Sequence, residues 1–481
     1  MNSPESSLPD PNHADIVELK RLFASQKAAL SDNPNPSLEQ RQCWLEQLEQ
    51  MLVAKRSDIS TALQSDFGSH PSVVTDLYET GGVIGRARYF RRQLEQWLAP
   101  QSIELSKKLH GAAAAEVVLM PKGVVGNIAP WNFPIECALV MAADMLAAGN
   151  RVILKPSLLA PTTAGVVAQA VSEYFDENVL AVATGGDELT TYFPHLPWDH
   201  LTYTGSPAVG RIIMRAAAEN LVPVTLELGG KNPAVFTADG IDDDLLRIFL
   251  ESRIMKGGQV CISPDYVLVP RAHRDDWLKR VCRLWSQMYP HYVGHADATS
   301  AINDAHYHRV MGYVEEARAR GVQVVSLNGD EPDPASRQIP MYVIVEPPAD
   351  LKCMEEEIFG PVTPLCSYDS LDDVIARLNA GASPLASYIA SHDQMAAQKF
   401  VEQVRSGGAG VNNFGTQAGH PAIPFGGLGN SGFGCHSGYE GFRNYCHAKG
   451  VFRGAADSLV AKMMRLPYGE SAQGLVDAIF K

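Results

Sequence analysis

The chain begins polar and then becomes periodic. Over residues 15–67 apolar side chains recur at helical spacing, as Ile16, Leu19, Leu22 and Phe23, then Trp44, Leu48, Met51, Leu52, Ile59 and Leu63. Glutamates and lysines fill the opposite face, which predicts a layer of helices laid against a sheet. Beyond it, short apolar runs alternate with helical stretches. Residues 117–120 and 124–129 read as strands around the turn Pro121-Lys122-Gly123. Residues 151–155 form a third apolar run, closed by Pro156 and followed by a helical stretch over 162–175. Residues 179–184 and 200–204 are again strand-like, each ending near glycine. This β–α–β–α rhythm predicts a parallel, doubly wound sheet. It returns over residues 233–420 without repeating the sequence, which predicts a second α/β domain.

Composition narrows the function. The 481 residues are 46% hydrophobic, enough for a large core in two or three domains. Forty Lys and Arg stand against 54 Asp and Glu, a net charge of −14. That balance argues against nucleic acid or an anionic membrane surface as partner, since both require clustered positive charge. Residues 1–13, rich in Pro, Ser and Asp, read as a disordered leader without signal-peptide architecture. No run reaches the roughly 18 apolar residues of a spanning helix. Eight cysteines are scattered with no C-x-x-C pair, which suits reduced thiols in a cytoplasmic protein and predicts neither disulfides nor a metal site.

The chemistry lies in three short segments. Cys261 stands in Gly257-Gly258-Gln259-Val260-Cys261, Glu227 in Leu226-Glu227-Leu228-Gly229-Gly230-Lys231, and Asn132 in Pro130-Trp131-Asn132-Phe133-Pro134. A thiol and a carboxylate are what an enzyme needs to form a thioester and then hydrolyse it. A side-chain amide can hold an oxyanion. Two predicted strand ends carry groups suited to a phosphorylated cofactor: Lys155-Pro156-Ser157, and Thr204-Gly205-Ser206 at the start of a helix. Neither is specific alone, being neither the G-x-G-x-x-G fingerprint nor a phosphate loop.

Together with Glu356-Glu357-Ile358-Phe359-Gly360-Pro361 and Pro424-Phe425-Gly426-Gly427, these segments resemble the aldehyde dehydrogenase family in order and spacing over about residues 15–455. Within it the chain is most similar to the class 3-like branch and its bacterial coniferyl aldehyde dehydrogenases. The resemblance implies a Rossmann-type parallel-sheet cofactor domain over residues 14–102 and 122–228, and a second α/β, catalytic domain over 229–425. It further implies a small β oligomerisation arm over 103–121 and 440–455, a C-terminal tail over 456–481, and a homodimer.

The same resemblance assigns roles. Cys261 is the nucleophile, Asn132 the oxyanion donor and Glu227 the base that activates water. Lys155, Ser157, Gly205, Ser206, Gly229, Glu357 and Phe359 hold the dinucleotide, and Trp131, Phe133 and Phe425 line the aldehyde channel. The cofactor expected is NAD. Leu158, however, stands where many NAD-using members place a carboxylate, which leaves NADP open. Lys256 occupies the position of a usual Asn, and would favour the thiolate if it pointed inward. The implied reaction is oxidation of a hydrophobic aldehyde, aromatic such as coniferyl or long-chain aliphatic, to the acid through a cysteine thiohemiacetal and thioester. Transfer of the acyl group to coenzyme A and a noncatalytic scaffold remain the alternatives.

Overall fold

A computed structural model describes residues 8–481. The first seven residues of the expected leader lie outside the described ones, and the chain is helical from Ala14. The periodic region forms helices Ala14–Asp32, Leu38–Ala54 and Arg56–Phe67. Ser37 and Gln40 close a capping box at the second of these, satisfying its free amides. That helix buries Trp44, Leu45 and Leu48. A further helix, Gly81–Leu98, escaped the sequence reading; it buries Val83, Ala87, Phe90 and Leu94 against the same layer. Helix Glu136–Ala147 is buried on every face from Ala138 onward, so it forms the centre of this half.

Two α/β sheets carry the architecture. In space, the first runs Gly432–Phe433, Val224–Leu228, His200–Gly205, Val124–Ile128, Arg151–Lys155, Leu180–Val182. Its last five strands are parallel, and Gly432–Phe433 pairs antiparallel to Val224–Leu228. The second has seven strands drawn from residues 233–411, parallel apart from an antiparallel edge at Val324–Ser326. A third, antiparallel sheet joins Gln101–Ile103, Ala114–Pro121 and Cys446–Arg453.

The two strands predicted around Pro121-Lys122-Gly123 therefore belong to different sheets. Gly123 adopts φ 140°, and a Cβ there would lie 2.1 Å from Asp199 Oδ2. That carboxylate instead accepts the Val124 N–H at 2.7 Å, which diverts the chain into the first sheet. In the first sheet Ile128, Lys155, Tyr203 and Leu226 come to one level, one residue before Thr204 and Glu227. Residues at these carboxyl ends, together with residues from the region of the second sheet, line one cavity.

Candidate active site

The Cys261 loop owes its shape to backbone conformation. Helix Asp243–Ile254 stops, and Lys256, Gly257 and Gly258 follow in left-handed geometry at φ 50°, 62° and 74°. A Cβ on Gly258 would sit 2.6 Å from the main chain of Gly360, and one on Gly257 would sit 2.9 Å from Thr299 O. Only glycine fits either position. Gln259 then pins the turn, donating to Lys256 O at 2.9 Å and Ser300 O at 3.0 Å, and accepting from Ile302 N–H at 3.1 Å. Beyond the thiol, Asn232 donates to Cys261 O at 2.8 Å and to Ser263 O at 3.0 Å. Cys261 is thus fixed from both sides. Burial first, then the Glu357, Glu136 and Glu227 carboxylates, push its pKa upward, so at neutral pH the group rests as a thiol.

Asn132 is buried, and its side-chain amide donates to Gln259 O at 3.1 Å. One amide hydrogen is spent there, and the second is left for a ligand. Glu227 sits at the end of its strand, in register with Thr204 on one side and Gly432 on the other. Among the described residues neither of its oxygens has a hydrogen-bond partner. Burial, reinforced by Asp144, holds its pKa well above the ordinary carboxylate value.

The residues expected to hold a dinucleotide surround this pair. Gly205 and Ser206 lead into helix Pro207–Ala218, where the Ser206 hydroxyl accepts the Val209 N–H. Glu357 turns inward against Gly229, whereas Glu356 accepts from the Tyr313 hydroxyl at 2.8 Å. A Cβ on Gly229 would fall 2.1 Å from Glu357 Oε2, so the carboxylate occupies a cradle that only glycine leaves open. Burial raises the Glu357 pKa to about 8. Phe359 follows at φ 50°, its ring edge-on to Trp131 at 5.4 Å. Lys155 is buried at the adjacent strand end and donates to its own neighbour, Pro156 O, at 2.8 Å. Burial lowers its pKa to about 8. A desolvated cation with spare donors fits a ribose or phosphate group. Ser157 spends its hydroxyl accepting the Leu159 N–H at 3.2 Å.

All the expected site residues except Lys155 and Ser157 line one cavity of about 850 Å³. Leu77, Met141, Ile248, Met255 and Phe414 supply apolar wall, and Thr416 and His420 add polar groups. Phe133 and Phe425 contribute as expected, the latter backed by His436 through paired main-chain bonds of 2.8 Å. Lys256 points inward but does not serve the sulfur: its ammonium is bound by Glu79 at 2.5 Å and by Asn132 O.

Several lining residues escaped the sequence reading, among them Arg86, Glu136, Cys137 and His436. Glu136, whose pKa burial raises to about 7, did leave a signal: a lone charge in the apolar stretch that follows Asn132. Arg86 left none, because its partner Asp144 lies 58 residues away and meets it at 2.8 Å only in the folded chain.

The aldehyde dehydrogenase family model matches residues 5–451. A coniferyl aldehyde dehydrogenase of Pseudomonas sp. strain HR199 is 36% identical over 461 residues, covering 95% of each chain. The substrate-bound Staphylococcus aureus AldH structure superposes with a TM-score of 0.89 at 30% identity, covering 96% of this chain and 99% of that one. A Mycobacterium tuberculosis aldehyde dehydrogenase complexed with NAD+ superposes at 0.81 and 29% identity, covering 90% of each.

Proposed function

The chain belongs to the aldehyde dehydrogenase family, and on that footing we propose that it oxidises hydrophobic, chiefly aromatic, aldehydes to carboxylic acids with NAD or NADP. One observation carries this reading: Cys261, Asn132 and Glu227, far apart in sequence, converge on a single cavity walled mostly by apolar side chains. The coniferyl aldehyde relative supports the aromatic choice, and the NAD+ complex of a structural neighbour supports the dinucleotide. Leu158, half exposed, offers no carboxylate to repel a 2′-phosphate, so NADP stays within the reading.

The steps follow from the groups present. The Cys261 proton is released to solvent through the cavity, and the thiolate sulfur bonds to the aldehyde carbon. The oxyanion so formed accepts from the free Asn132 amide hydrogen and the Cys261 N–H. When bound, the dinucleotide supplies the acceptor for the hydride that leaves this carbon. Glu357, Lys155 and the helix start at Ser206 would hold its sugars and phosphates. Glu227 then removes a proton from water as that water attacks the thioester, releasing the acid and the thiolate.

Transfer to coenzyme A is disfavoured by the presence of this base. The eight free thiols suit a reducing cytoplasm. The outer edge of Cys446–Arg453, unpaired among the described residues, supports a homodimer, because an exposed edge eight residues long invites pairing. A panel of cinnamyl, benzyl and aliphatic aldehydes, assayed with both dinucleotides and without coenzyme A, tests the proposal. Acid formation fastest with the cinnamyl aldehydes supports it. Acyl transfer only when coenzyme A is added refutes it.

A further inference from the structure

Lys256 is buried in a place and a conformation that ordinarily reject it. Its φ of 50° belongs to the left-handed region, its side chain is inaccessible to solvent, and its partner Glu79 is equally buried. A buried ion pair of this kind contributes little stability over an apolar pair of the same volume. The contacts point elsewhere. The ammonium donates to Glu79 Oε1 at 2.5 Å and to the main-chain carbonyl of Asn132, and lies 4.2 Å over the Phe133 ring. All three of its hydrogens thus have a destination, which is why none is left for Cys261. Glu79 completes the clamp with its other oxygen, accepting the N–H groups of Ile135 at 3.1 Å and Glu136 at 3.0 Å. Glu79 itself belongs to a π-helical turn, Thr75–Thr80, an irregularity often found at functional sites.

One pair therefore joins three pieces: the nucleophile loop through Lys256, the backbone of Asn132, and the first turn of helix Glu136–Ala147. Asn132 is held at both ends, its carbonyl by Lys256 and its amide by Gln259 O, two residues before the thiol. We propose that Lys256, locked by Glu79, is a positioning residue that sets Asn132 at the correct distance from the Cys261 sulfur to receive the oxyanion. It acts through Asn132 and touches neither substrate nor sulfur. This inference rests on the oxyanion role given to Asn132 above.

A double-mutant cycle on the full-length enzyme tests it, with the burst rate of reduced dinucleotide as readout and cinnamaldehyde as substrate. The four proteins are the parent, Asn132→Ala, the paired change Lys256→Met with Glu79→Gln, and all three substitutions together. The paired change leaves no lone buried charge. If it yields no folded protein, Glu79→Gln alone, which keeps the side chain's shape, takes its place in the same cycle. A displacement of about 1 Å at a reacting centre slows chemistry about 10²-fold, so the paired change is expected to slow the burst by 10- to 100-fold. The dissociation constant for the dinucleotide should not change. Added to Asn132→Ala, the paired change should have almost no further effect, because the residue it positions is gone. A parent-like burst in the paired variant overturns the proposal, and so does a full multiplicative loss in the combined one. Weakened dinucleotide binding, the mark of general disorder, overturns it too. A parent-like burst in Asn132→Ala instead removes the oxyanion assignment itself, which separates the two failures.

Discussion

Replacing Glu227 by glutamine gives the sharpest test of the site. The substitution keeps the side chain's size and removes its capacity to take a proton. Acylation does not need the water that Glu227 activates, so one equivalent of reduced dinucleotide per active site should still appear. A slow steady state should follow. General-base catalysis commonly contributes about 10²–10⁴-fold, or about 2.7–5.4 kcal/mol of barrier. The upper part of that range is expected, because among the described residues no hydrogen bond competes for either oxygen. The same burial has a thermodynamic signature. Burial raises the carboxyl's pKa above the 4.5 of an unfolded glutamate. Between 4.5 and the folded value, the unfolded chain has released this proton while the folded protein still holds it. Its share of stability is therefore complete in acid and is lost as pH rises through the folded value. Rapid-mix fluorescence of the reduced cofactor and melting temperatures across pH measure the two effects. Parent-like turnover in Glu227→Gln, or a pH–stability curve unchanged by the substitution, refutes the assignment.

Further outcomes follow from the same geometry. Cys261→Ala should abolish oxidation while leaving dinucleotide binding intact by calorimetry. Gly229→Ala places a methyl group where Glu357 Oε2 now lies, so the carboxylate must move; KM for the dinucleotide should rise several-fold with little change in melting temperature. Lys155, its pKa lowered to about 8 by burial, should lose its charge above that pH, so NADP affinity should fall more steeply than NAD affinity as pH passes about 8. Lys155→Met should remove that difference, as titrations of both dinucleotides would reveal.

The Cys261 and Glu227 segments were legible because each is short, local and built on glycines whose backbone demands are strict. Gly257, Gly258 and Gly229 each sit where a Cβ would strike a neighbour, so the motif is itself a record of the packing. The parallel strands were legible for a similar reason, since apolar runs closed by proline or glycine have few alternatives. Helix Gly81–Leu98 was not, because Arg86 interrupts its buried stripe and is tolerated there only through Asp144. Nor could any local pattern pair Glu79 with Lys256, 177 residues apart, or bring Gly432–Phe433 back against Glu227. In the same way, inward-facing Lys256 invited the idea of a thiolate partner, and only the fold reveals that Glu79 and Asn132 already claim it.

The returning segment also bears on how the protein is made. Glu227 acquires its final neighbour when Gly432 pairs beside it, and Phe425 is set when it bridges to His436. A chain emerging from the ribosome therefore carries its sulfur long before it has an enclosed chamber around it. A fragment or stalled translation product ending upstream of this segment lacks Phe425 and His436, two of the side chains that wall the cavity.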